Sequence, residues 1–594
     1  MIADEGSKLA ALRDELAHIG VAGFIVPRAD EHLGEYVPAY AERLAWLTGF
    51  TGSAGIAVVL TDAAAVFTDG RYVLQLADQT AAALWERRHV IDEPPPAWIS
   101  AHAPGRVIGY DPLLIGEEAL ARYIDAGIEM RALAENPIDA IWTDRPAPPA
   151  APVTPHPREF AGQGSADKRQ DISALLRAGD QDAAVITDPA SLAWLLNIRG
   201  GDVPFTPFAL GFAILHADSR VELFMDSAKL SQATRDWLGN GVGVAPREAL
   251  AAALARLTGK RVRVDGQGAP AWFAQTLRAA GAKVVNAPDP CLLPKARKNE
   301  TERQGFRNAH ARDAVAMCRF LHFLSREAAT GRVTEISAAS RLLALREEMA
   351  GFRGESFPAI SAAGEHGAII HYRVTEATDR TIAANEVYLI DSGAQYLDAT
   401  TDITRTIWTG PGTPPSALRE RFTRVLQGHI ALATAVFPQG LTGAHLDAFA
   451  RRALWQAGLD YDHGTGHGVG CYLSVHEGPV SLSRATRPVA IAPDMVLSNE
   501  PGFYLPGQYG IRLENLLLVQ PACLPAASKP FLSFETLTLA PFDRELLAHE
   551  LLQANEIAWL DAYHARVAAE ISPHLPPDTA SWLVDACRAV KDLT

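Results

Sequence analysis

Apolar and polar positions follow the same order of patterns twice in the first half of the chain. A segment with helical periodicity (SKLAALRDELAHIG) precedes an apolar strand (AGFIVPRAD, 22–30), the sequence LAWLTGF (44–50) and two apolar runs around a turn (54–73). The second copy begins with KRQDISALLRAG and continues through DAAVITDPA, LAWLLNI and LGFAILHADSRVELFMD (182–226). The same series of elements occurs twice, which predicts two related α/β domains. A solenoid would need at least three short repeats.

Proline-rich segments mark two domain boundaries. RPAPPAAPVTPHP (145–157) contains six prolines, and it predicts an extended linker because proline fixes φ and lacks a donor. Three prolines in APDPCLLPKARKNE (287–300) precede a helix that we expect to begin around Asn299. A chain of 594 residues is too long for a single core. We therefore expect domains at about 1–150, 158–290 and 295–594.

The third predicted domain places aspartates in strand-like sequence. NEVYLIDSGAQYLDATTDITRTIW (385–408) predicts two β-rich runs joined through SGAQY, with Asp391 in the first run and Asp402 in the second. Aspartate is depleted in strands. Either residue alone would be interpreted as a turn or edge residue.

A second pair of acidic residues follows in MVLSNEPGFYLPGQYGIRLENLLLVQ (495–520). We expect Glu500 to end one strand and Glu514 to lie in the next. Arg512 is two residues before Glu514, so both side chains should project from one face of that strand. A paired salt bridge is the competing interpretation.

Three histidines lie between the two acidic pairs, in HGTGHGVGCYLSVHEGP (463–479). The glycines disfavour the helix that an HExxH zinc site needs, and the Lys-Ser/Thr of a phosphate loop is missing. Cys471 has no cysteine neighbours and is interpreted as a small buried side chain. Four carboxylates in one core would repel unless cations neutralise them. One histidine with four carboxylates suits two bridged divalent ions, with Mn²⁺, Co²⁺, Mg²⁺ and Zn²⁺ as candidates.

Composition restricts the classes of partner and the cellular compartment that we expect for this protein. A net charge of −15 and a pI near 5.7 argue against nucleic acid or an anionic membrane as the main partner. Five cysteines without CxxC spacing suit a reducing compartment. The start, MIADEGSKLAALRDELA, does not resemble a signal peptide, and no charge-free apolar run is long enough to span a bilayer. We expect a cytoplasmic protein.

Several motifs in one order resemble the metallopeptidases of the pita-bread fold, and among them the Xaa-Pro aminopeptidase (aminopeptidase P) group. They are AIIHY (368–372), LIDSGAQY with DITRT, HGTGHGVG with VHEGP, SNEPGFY and GIRLEN, and in the first domain LTGFTGSAG and FTDGRY. The three-domain layout is similar to the long cytosolic form of that group. The resemblance implies an α/β (α+β) protein. Two related creatinase-like domains would precede a C-terminal pita-bread domain, with an extension from about residue 541.

The resemblance also implies a metal site and the side chains around it. Two divalent ions would be held, Mn²⁺ being the expected metal with Co²⁺ or Zn²⁺ as alternatives, and Asp402 and Glu514 would bridge them. The implied metal ligands are Asp391, Asp402, His467, Glu500 and Glu514. The implied catalytic residues are Glu500 as general base, with His371 and His476 as donors. The implied substrate-binding residues are His371, His463, His476, Tyr504 and Arg512.

The activity that the resemblance implies is removal of the N-terminal residue from peptides with proline in the second position. A hydroxide formed from a water that bridges the two ions would attack the scissile carbonyl. A prolidase that cleaves only dipeptides is the nearest alternative, and a non-catalytic binding protein on the same fold is another. A metal-free amidinohydrolase of the creatinase type would not need the full ligand set. The resemblance further implies a homodimer, with an amphipathic segment at 541–594 that packs on the third domain or on the partner.

Overall fold

The computed structural model describes residues 2–485 and 488–590, and the chain divides into two compact units. Unit 1 contains both predicted N-terminal domains, and unit 2 contains the third. Unit 1 comprises Met1–Arg158 and Gln163–Leu292, and unit 2 comprises Glu159–Gly162 and Leu293–Thr594.

The first domain is a six-stranded mixed sheet flanked by helices, with strand order β4-β3-β2-β1-β5-β6. Strand β1 runs antiparallel to β2 and parallel to β5. Its elements are α1 (Ile2–Ile19), β1 (Gly23–Pro27), α2 (Arg43–Thr48), β2 (Ile56–Leu60), β3 (Ala64–Thr68), α3 (Val73–Gln79), β4 (Glu86–His89), α4 (Pro95–His102), β5 (Val107–Tyr110), α5 (Glu117–Asp125), β6 (Glu129–Ala132) and α6 (Pro137–Ile141).

The second domain has a six-stranded sheet of order β12-β11-β10-β8-β13-β14. Its central strand β8 is antiparallel to β10 and parallel to β13. The elements between residues 154 and 286 are β7 (Thr154–Pro155), α7 (Arg158–Ala161), α8 (Ser165–Ala178), β8 (Ala183–Ile186), α9 (Pro189–Leu196), β9 (Ile198–Arg199), β10 (Phe212–His216), β11 (Val221–Phe224), α10 (Gln232–Leu238), β12 (Val242–Ala245), α11 (Leu250–Ala255), β13 (Arg261–Val264), α12 (Ala271–Ala279) and β14 (Lys283–Asn286).

The predicted repeat is confirmed, because the two sheets share one topology. Strands β1 to β6 of the first sheet correspond in order to β8 and β10 to β14 of the second. The recurring LAWL sequence forms α2 in one copy and α9 in the other. Leu44 and Leu47 of α2 and Leu192 and Leu195 of α9 are all fully buried. The same apolar spacing therefore attaches an equivalent helix to each sheet.

The proline-rich linker differs from the simple extended connection that we predicted. Thr154–Pro155 pairs with Ile198–Arg199 of the second domain. Val153 is only 2% exposed, and its backbone N–H donates to the Lys229 carbonyl at 2.9 Å. The C-terminal part of the linker thus packs on the second domain as half of a two-stranded sheet, because the Val153 side chain is buried there and its backbone donor has a partner.

Unit 2 contains the remaining helices and four antiparallel sheets, of order β15-β18-β19, β16-β17-β20, β21-β28-β27-β24-β22-β23 and β25-β26. The elements are α13 (Leu292–Ala296), α14 (Glu300–Glu327), α15 (Glu335–Glu347), β15 (Phe352–Glu355), β16 (Ile360–Ala363), β17 (Val387–Ser392), β18 (Ala394–Tyr396), β19 (Ala399–Thr400), β20 (Ile403–Trp408), α16 (Ser416–Ala433), β21 (Phe437–Pro438), α17 (Gly443–Trp455), β22 (Gly466–Gly468), β23 (Glu477–Leu482), β24 (Val496–Asn499), β25 (Gly502–Leu505), β26 (Tyr509–Arg512), β27 (Asn515–Ala522), β28 (Phe531–Thr536), α18 (Ala554–Ile571) and α19 (Pro577–Ala586).

The long helix α14 begins where the sequence predicts. Asn299 is its N-cap, and the side chains of Asn299 and Glu302 form a reciprocal capping box. Its buried side chains, which include Phe306, Met317 and Phe320, pack against the sheets of unit 2. Within residues 2–485 and 488–590, neither this helix nor any other is apolar over a length that could cross a bilayer.

Two strand predictions needed adjustment. Strands β17 and β20 pair as expected, but SGAQY is not a simple connection, because its residues 394–396 form β18, which pairs with β15 and β19. The run IRLENLLLV is not one strand: β26 ends at Arg512, and β27 begins at Asn515. Glu514 therefore lies at a break between two sheets rather than inside a strand.

The C-terminal extension packs against unit 2. Helices α18 and α19 bury Leu560, Val567 and Leu583 in the same core cluster as Phe422 of α16. The Arg405 side chain lies at this boundary and is fully buried, stacked 4.3 Å from the centroid of the Phe542 ring. Its guanidinium donates to the carbonyls of Pro541 (3.0 Å), Ala540 (2.7 Å) and Glu514 (2.6 Å).

Candidate metal centre

Five acidic or histidine side chains are delivered to one region of unit 2 by different strands. Asp391 lies near the end of β17, opposite Thr404 of β20. Asp402 immediately precedes β20, His467 lies in β22, Glu500 follows β24, and Glu514 lies between β26 and β27. Asp402, His467 and Glu514 each offer a ligand atom within 4.8 Å of the other two.

The His467 ring is oriented as a metal ligand would be. Its Nδ1 is 2.9 Å from the carbonyl oxygen of Gly468, and an accepting carbonyl requires Nδ1 to carry the proton. The other nitrogen, Nε2, then bears a lone pair and lies 3.5 Å from Asp402 Oδ2 and 3.4 Å from Glu500 Oε1. A lone pair facing two carboxylates is unfavourable unless a proton or a cation lies between them.

Three buried carboxylate oxygens of this group lack a hydrogen-bond donor among the described residues. They are Asp391 Oδ1, Asp402 Oδ1 and Glu514 Oε1. Buried polar atoms are nearly always satisfied, so three unsatisfied acceptors in one cluster require an explanation. A cation provides it, since carboxylate oxygens are ligands of hard divalent ions.

Without cations, the cluster binds protons unusually tightly. Burial, together with Glu514, Asp391 and Glu500, holds the pKa of Asp402 well above its ordinary value. Burial and the charges of Glu500 and Asp391 do the same for the pKa of Glu514. For Glu500, burial, opposed by Arg512 and reinforced by Asp391, raises the pKa to about 7. Deprotonated carboxylates in this cluster therefore need additional positive charge nearby.

Arg512 connects the carboxylates to the predicted substrate residues through a chain of hydrogen bonds. Its Nη2 donates to Asp391 Oδ2 at 2.6 Å, and its Nη1 donates to the Tyr504 hydroxyl at 2.7 Å. The hydroxyl is 2.9 Å from Nε2 of His463, whose Nδ1 lies 2.7 Å from the Gly464 carbonyl. This geometry assigns the proton to Nδ1 of His463 and makes Nε2 the acceptor of the tyrosine proton.

The two remaining predicted residues lie beside this group. The His476 ring meets the His467 ring edge-on, with centroids 4.4 Å apart and an interplanar angle of 76°. His371 follows Ile370, whose carbonyl accepts from Arg512 Nη2 at 3.3 Å. The His371 and His476 side chains are partly exposed, as groups that receive a substrate must be. Contacts or short distances between side chains thus bring nine of the predicted site residues into one region of unit 2, and His371 is placed next to it by the contact of its neighbour Ile370 with Arg512.

Sequence reasoning missed two hydroxyl groups that orient the acidic residues. Thr404 Oγ1 donates to Glu514 Oε2 at 2.8 Å. Ser498 Oγ donates to Glu500 Oε1 at 3.3 Å and accepts from the His467 backbone N–H at 3.0 Å. Each lies two residues from an acidic residue, Asp402 or Glu500, and period-two spacing could have suggested them.

Family models match most of the chain in four segments. Residues 304–521 match metallopeptidase family M24, and residues 530–590 match the C-terminal region of peptidase M24. Residues 8–126 and 144–302 each match a creatinase/prolidase N-terminal domain. The first of these two matches covers β1 to β5 of the first sheet, and the second covers the whole second sheet. The fold is therefore two creatinase-type N-terminal domains followed by a pita-bread domain.

Individual proteins are similar over nearly the whole length. A probable Xaa-Pro aminopeptidase P of Laccaria bicolor is 39% identical over 98% of this chain and 93% of that protein. One of Coccidioides posadasii is 37% identical over 98% of this chain and 99% of that protein. The crystal structure of X-prolyl aminopeptidase from Caenorhabditis elegans, described as a cytosolic enzyme with a di-nuclear active site, has a TM-score of 0.94 at 34% identity, covering 99% of this chain and 100% of that one. The chain therefore belongs to metallopeptidase family M24 and, within it, to the Xaa-Pro aminopeptidase group.

Proposed function

We propose that this protein is a dinuclear metalloaminopeptidase that removes the N-terminal residue from peptides with proline in the second position. The observation that carries the proposal is the cluster of four carboxylates and His467, in which three buried oxygens lack donors among the residues that the structure describes. Full-length similarity to Xaa-Pro aminopeptidases supports the choice of substrate. We also propose that the chain forms three domains, at about 1–150, 158–290 and 295–594.

The proposed ligands of two divalent cations are Asp391, Asp402, His467, Glu500 and Glu514. When bound, such cations supply Lewis acidity towards a carbonyl oxygen and lower the pKa of a nearby water. Four carboxylates with one imidazole form a hard, oxygen-rich set that suits Mn²⁺, with Co²⁺ or Zn²⁺ as alternatives. Metal analysis of protein purified without added metal tests this assignment, and a stoichiometry below two ions per chain in active protein would contradict it.

The chain's own residues then handle the proton and the substrate. The Glu500 side chain is 18% exposed, compared with 5% for Asp402 and 10% for Asp391, so it is the acidic group best placed to take a proton from an attacking water. His371 and His476 would donate hydrogen bonds to the carbonyl oxygen or a proton to the leaving nitrogen. The Arg512–Tyr504–His463 chain would fix the wall that receives the proline ring.

Substrate length separates this proposal from a prolidase. We expect hydrolysis of X-Pro dipeptides and of longer X-Pro peptides, with release of a single N-terminal residue detected by mass spectrometry. Matched peptides with alanine in place of proline are the control. A bond to proline lacks an N–H, so a site that requires no such donor would prefer it. Cleavage of X-Pro dipeptides alone would favour a prolidase. If no X-Pro peptide is cleaved, a non-catalytic binding protein is the remaining interpretation.

We also propose a homodimer in the cytoplasm. Unit 2 exposes several large apolar side chains, and Val436, Phe449 and Trp455 are each between 45% and 50% exposed; such residues often mark association surfaces. Light scattering at micromolar concentration should give twice the 63.8 kDa of one chain. A monomer mass under those conditions refutes the dimer. The cytoplasmic location is supported by five free cysteines, four of them buried.

A further inference from the structure

Three charged side chains form a buried cluster beside the metal centre. Glu477 Oε2 is 3.1 Å from Lys295 Nζ, and Glu477 Oε1 accepts a hydrogen bond from Lys298 Nζ. The side chains are 3%, 1% and 1% exposed for Lys295, Lys298 and Glu477. Lys298 Nζ also donates to the Lys295 carbonyl at 3.1 Å. Two ammonium groups therefore share one carboxylate in the interior of unit 2.

Stability alone explains this cluster poorly. Removing charges from water costs several kcal/mol per ion, and apolar residues of similar volume often replace a buried ion pair without loss of stability. Such a cluster instead fixes the local geometry, because only a few side-chain positions let all three charged groups keep their hydrogen bonds.

The carboxylate end of the cluster fixes an irregular strand pair. Glu477 begins β23 and is opposite Gly468 of β22, whereas the preceding residue, His467, is opposite Ser481. Residues 478–480 therefore bulge out of the ladder, and the regular hydrogen bonds that would hold the register are interrupted there. The two backbones also touch, since a Cβ on Gly468 would lie 2.3 Å from the Glu477 carbonyl oxygen.

The lysine end of the cluster is attached to the next strand. The backbone N–H of Lys298 donates to the Asp494 carbonyl at 2.8 Å, and Arg297 forms a β-bridge with Met495. Strand β24 begins one residue later and leads to Glu500. The cluster thus joins the bulged strand that carries Glu477 to the segment that leads to the proposed general base.

We propose that Glu477, clamped by Lys295 and Lys298, is a positioning residue that holds His476 in its place against His467. Glu477 is the next residue after His476, so its side chain anchors the backbone from which the His476 ring projects. The inference rests on the proposed function of His476 as a donor to the substrate. The Glu477 carboxylate contacts Lys295 and Lys298, so its proposed role is to hold the backbone beside His476 and not to bind metal or substrate.

The test compares Glu477→Gln with Asp202→Asn. The control removes the charge from another buried Lys–carboxylate pair, in unit 1, where Lys229 Nζ is 2.7 Å from Asp202 Oδ2. Both variants should lower the melting temperature. Only Glu477→Gln should lower kcat, by about tenfold or more with KM and metal content nearly unchanged, because it displaces a group that acts in the transition state.

Two further measurements separate positioning from general destabilisation. In the background of His476→Ala, Glu477→Gln should cause no further loss of kcat, since residues that act through one another are not additive. In protein labelled with ¹³C at histidine Cε1, the His476 resonance, identified by its absence in His476→Ala, should move in Glu477→Gln and stay in Asp202→Asn. This second measurement does not depend on activity, so it tests the inference even where X-Pro peptides are not cleaved.

The inference is overturned if Glu477→Gln keeps kcat within twofold of the parent, if its loss is additive with His476→Ala, or if the resonance does not move. Should Glu477→Gln not fold, Lys295→Met provides the same test, because Glu477 keeps its contact with Lys298. It should show a smaller loss of kcat and the same non-additivity. Normal kcat in Lys295→Met with an unmoved His476 resonance also overturns the inference.

Discussion

Removing divalent cations is expected to abolish hydrolysis of X-Pro peptides, and added Mn²⁺ or Co²⁺ should restore it. The reason is that one buried carboxylate oxygen each of Asp391, Asp402 and Glu514 has no hydrogen-bond donor among the described residues. Buried acceptors of this kind need a proton or a cation as a partner. Dialysis against a chelator, followed by metal analysis and peptide assays, measures the effect. Full activity in protein shown to be metal-free would refute the dinuclear mechanism.

In the metal-free protein, the free energy of unfolding should also depend on pH differently from that of the metal-loaded protein. Burial raises the pKa of Glu500 to about 7, and the pKa values of Asp402 and Glu514 are raised as well. The folded form therefore binds more protons than the unfolded form above about pH 4.5, so the free energy of unfolding falls as pH rises towards 7.

Melting temperatures measured between pH 5 and pH 8 check this linkage. The metal-free protein should lose thermal stability steadily across the range. The protein loaded with Mn²⁺ should lose much less, because the cations replace the protons and bind the deprotonated carboxylates more tightly as pH rises. Equal slopes for the two forms would show that the carboxylates are not the ligands.

Substituting the histidines should separate metal binding from substrate handling. His467→Ala removes the imidazole whose Nε2 faces Asp402 and Glu500, so metal content and rate should fall together. His476→Ala should keep both ions yet lower kcat/KM by about a hundredfold or more, on the order of 3 kcal/mol, as the loss of one oxyanion donor does. His463→Ala should act in the same way but more weakly, because the His463 ring contacts Tyr504, a proposed substrate-binding residue.

The measurements for these three variants are metal stoichiometry, melting temperature and steady-state kinetics. If the histidines only satisfied hydrogen bonds in a turn, His463→Ala and His476→Ala would lose thermal stability and keep near-normal kcat/KM. If His476→Ala lost as much metal as His467→Ala, the division of roles would be wrong. The edge-on contact between the two rings makes this comparison necessary.

The sequence predicted much of the architecture because its signals are local. The capping box at Asn299 and Glu302, the repeated LAWL helix and the paired apolar runs each depend on a few neighbouring residues. The acidic residues of the proposed metal site could also be noticed, since aspartate is depleted in strands. The choice of His467 among the three histidines came from the family resemblance.

Other features depend on partners that lie far apart in the chain. Lys295 and Lys298 resemble ordinary surface charges in KARKNE, and nothing near them indicates Glu477, 179 residues beyond Lys298. The break before Glu514 was missed because IRLENLLLV has the composition of one strand. The break follows from tertiary contacts instead: the Glu514 backbone N–H donates to the Thr404 carbonyl, and its side chain accepts from the Thr404 hydroxyl.

The environment of Arg405 has a consequence for where the peptidase domain can end. Its guanidinium cannot shed its proton, and two of its acceptors, the carbonyls of Ala540 and Pro541, belong to the chain beyond β28. A chain cut before residue 540 would remove these acceptors together with Phe542, whose ring stacks on the guanidinium behind the Glu514 backbone. It would also expose the apolar cluster that α18 and α19 complete, which includes Phe422 of α16. The C-terminal segment is thus an interior wall of the peptidase domain and not a detachable appendage.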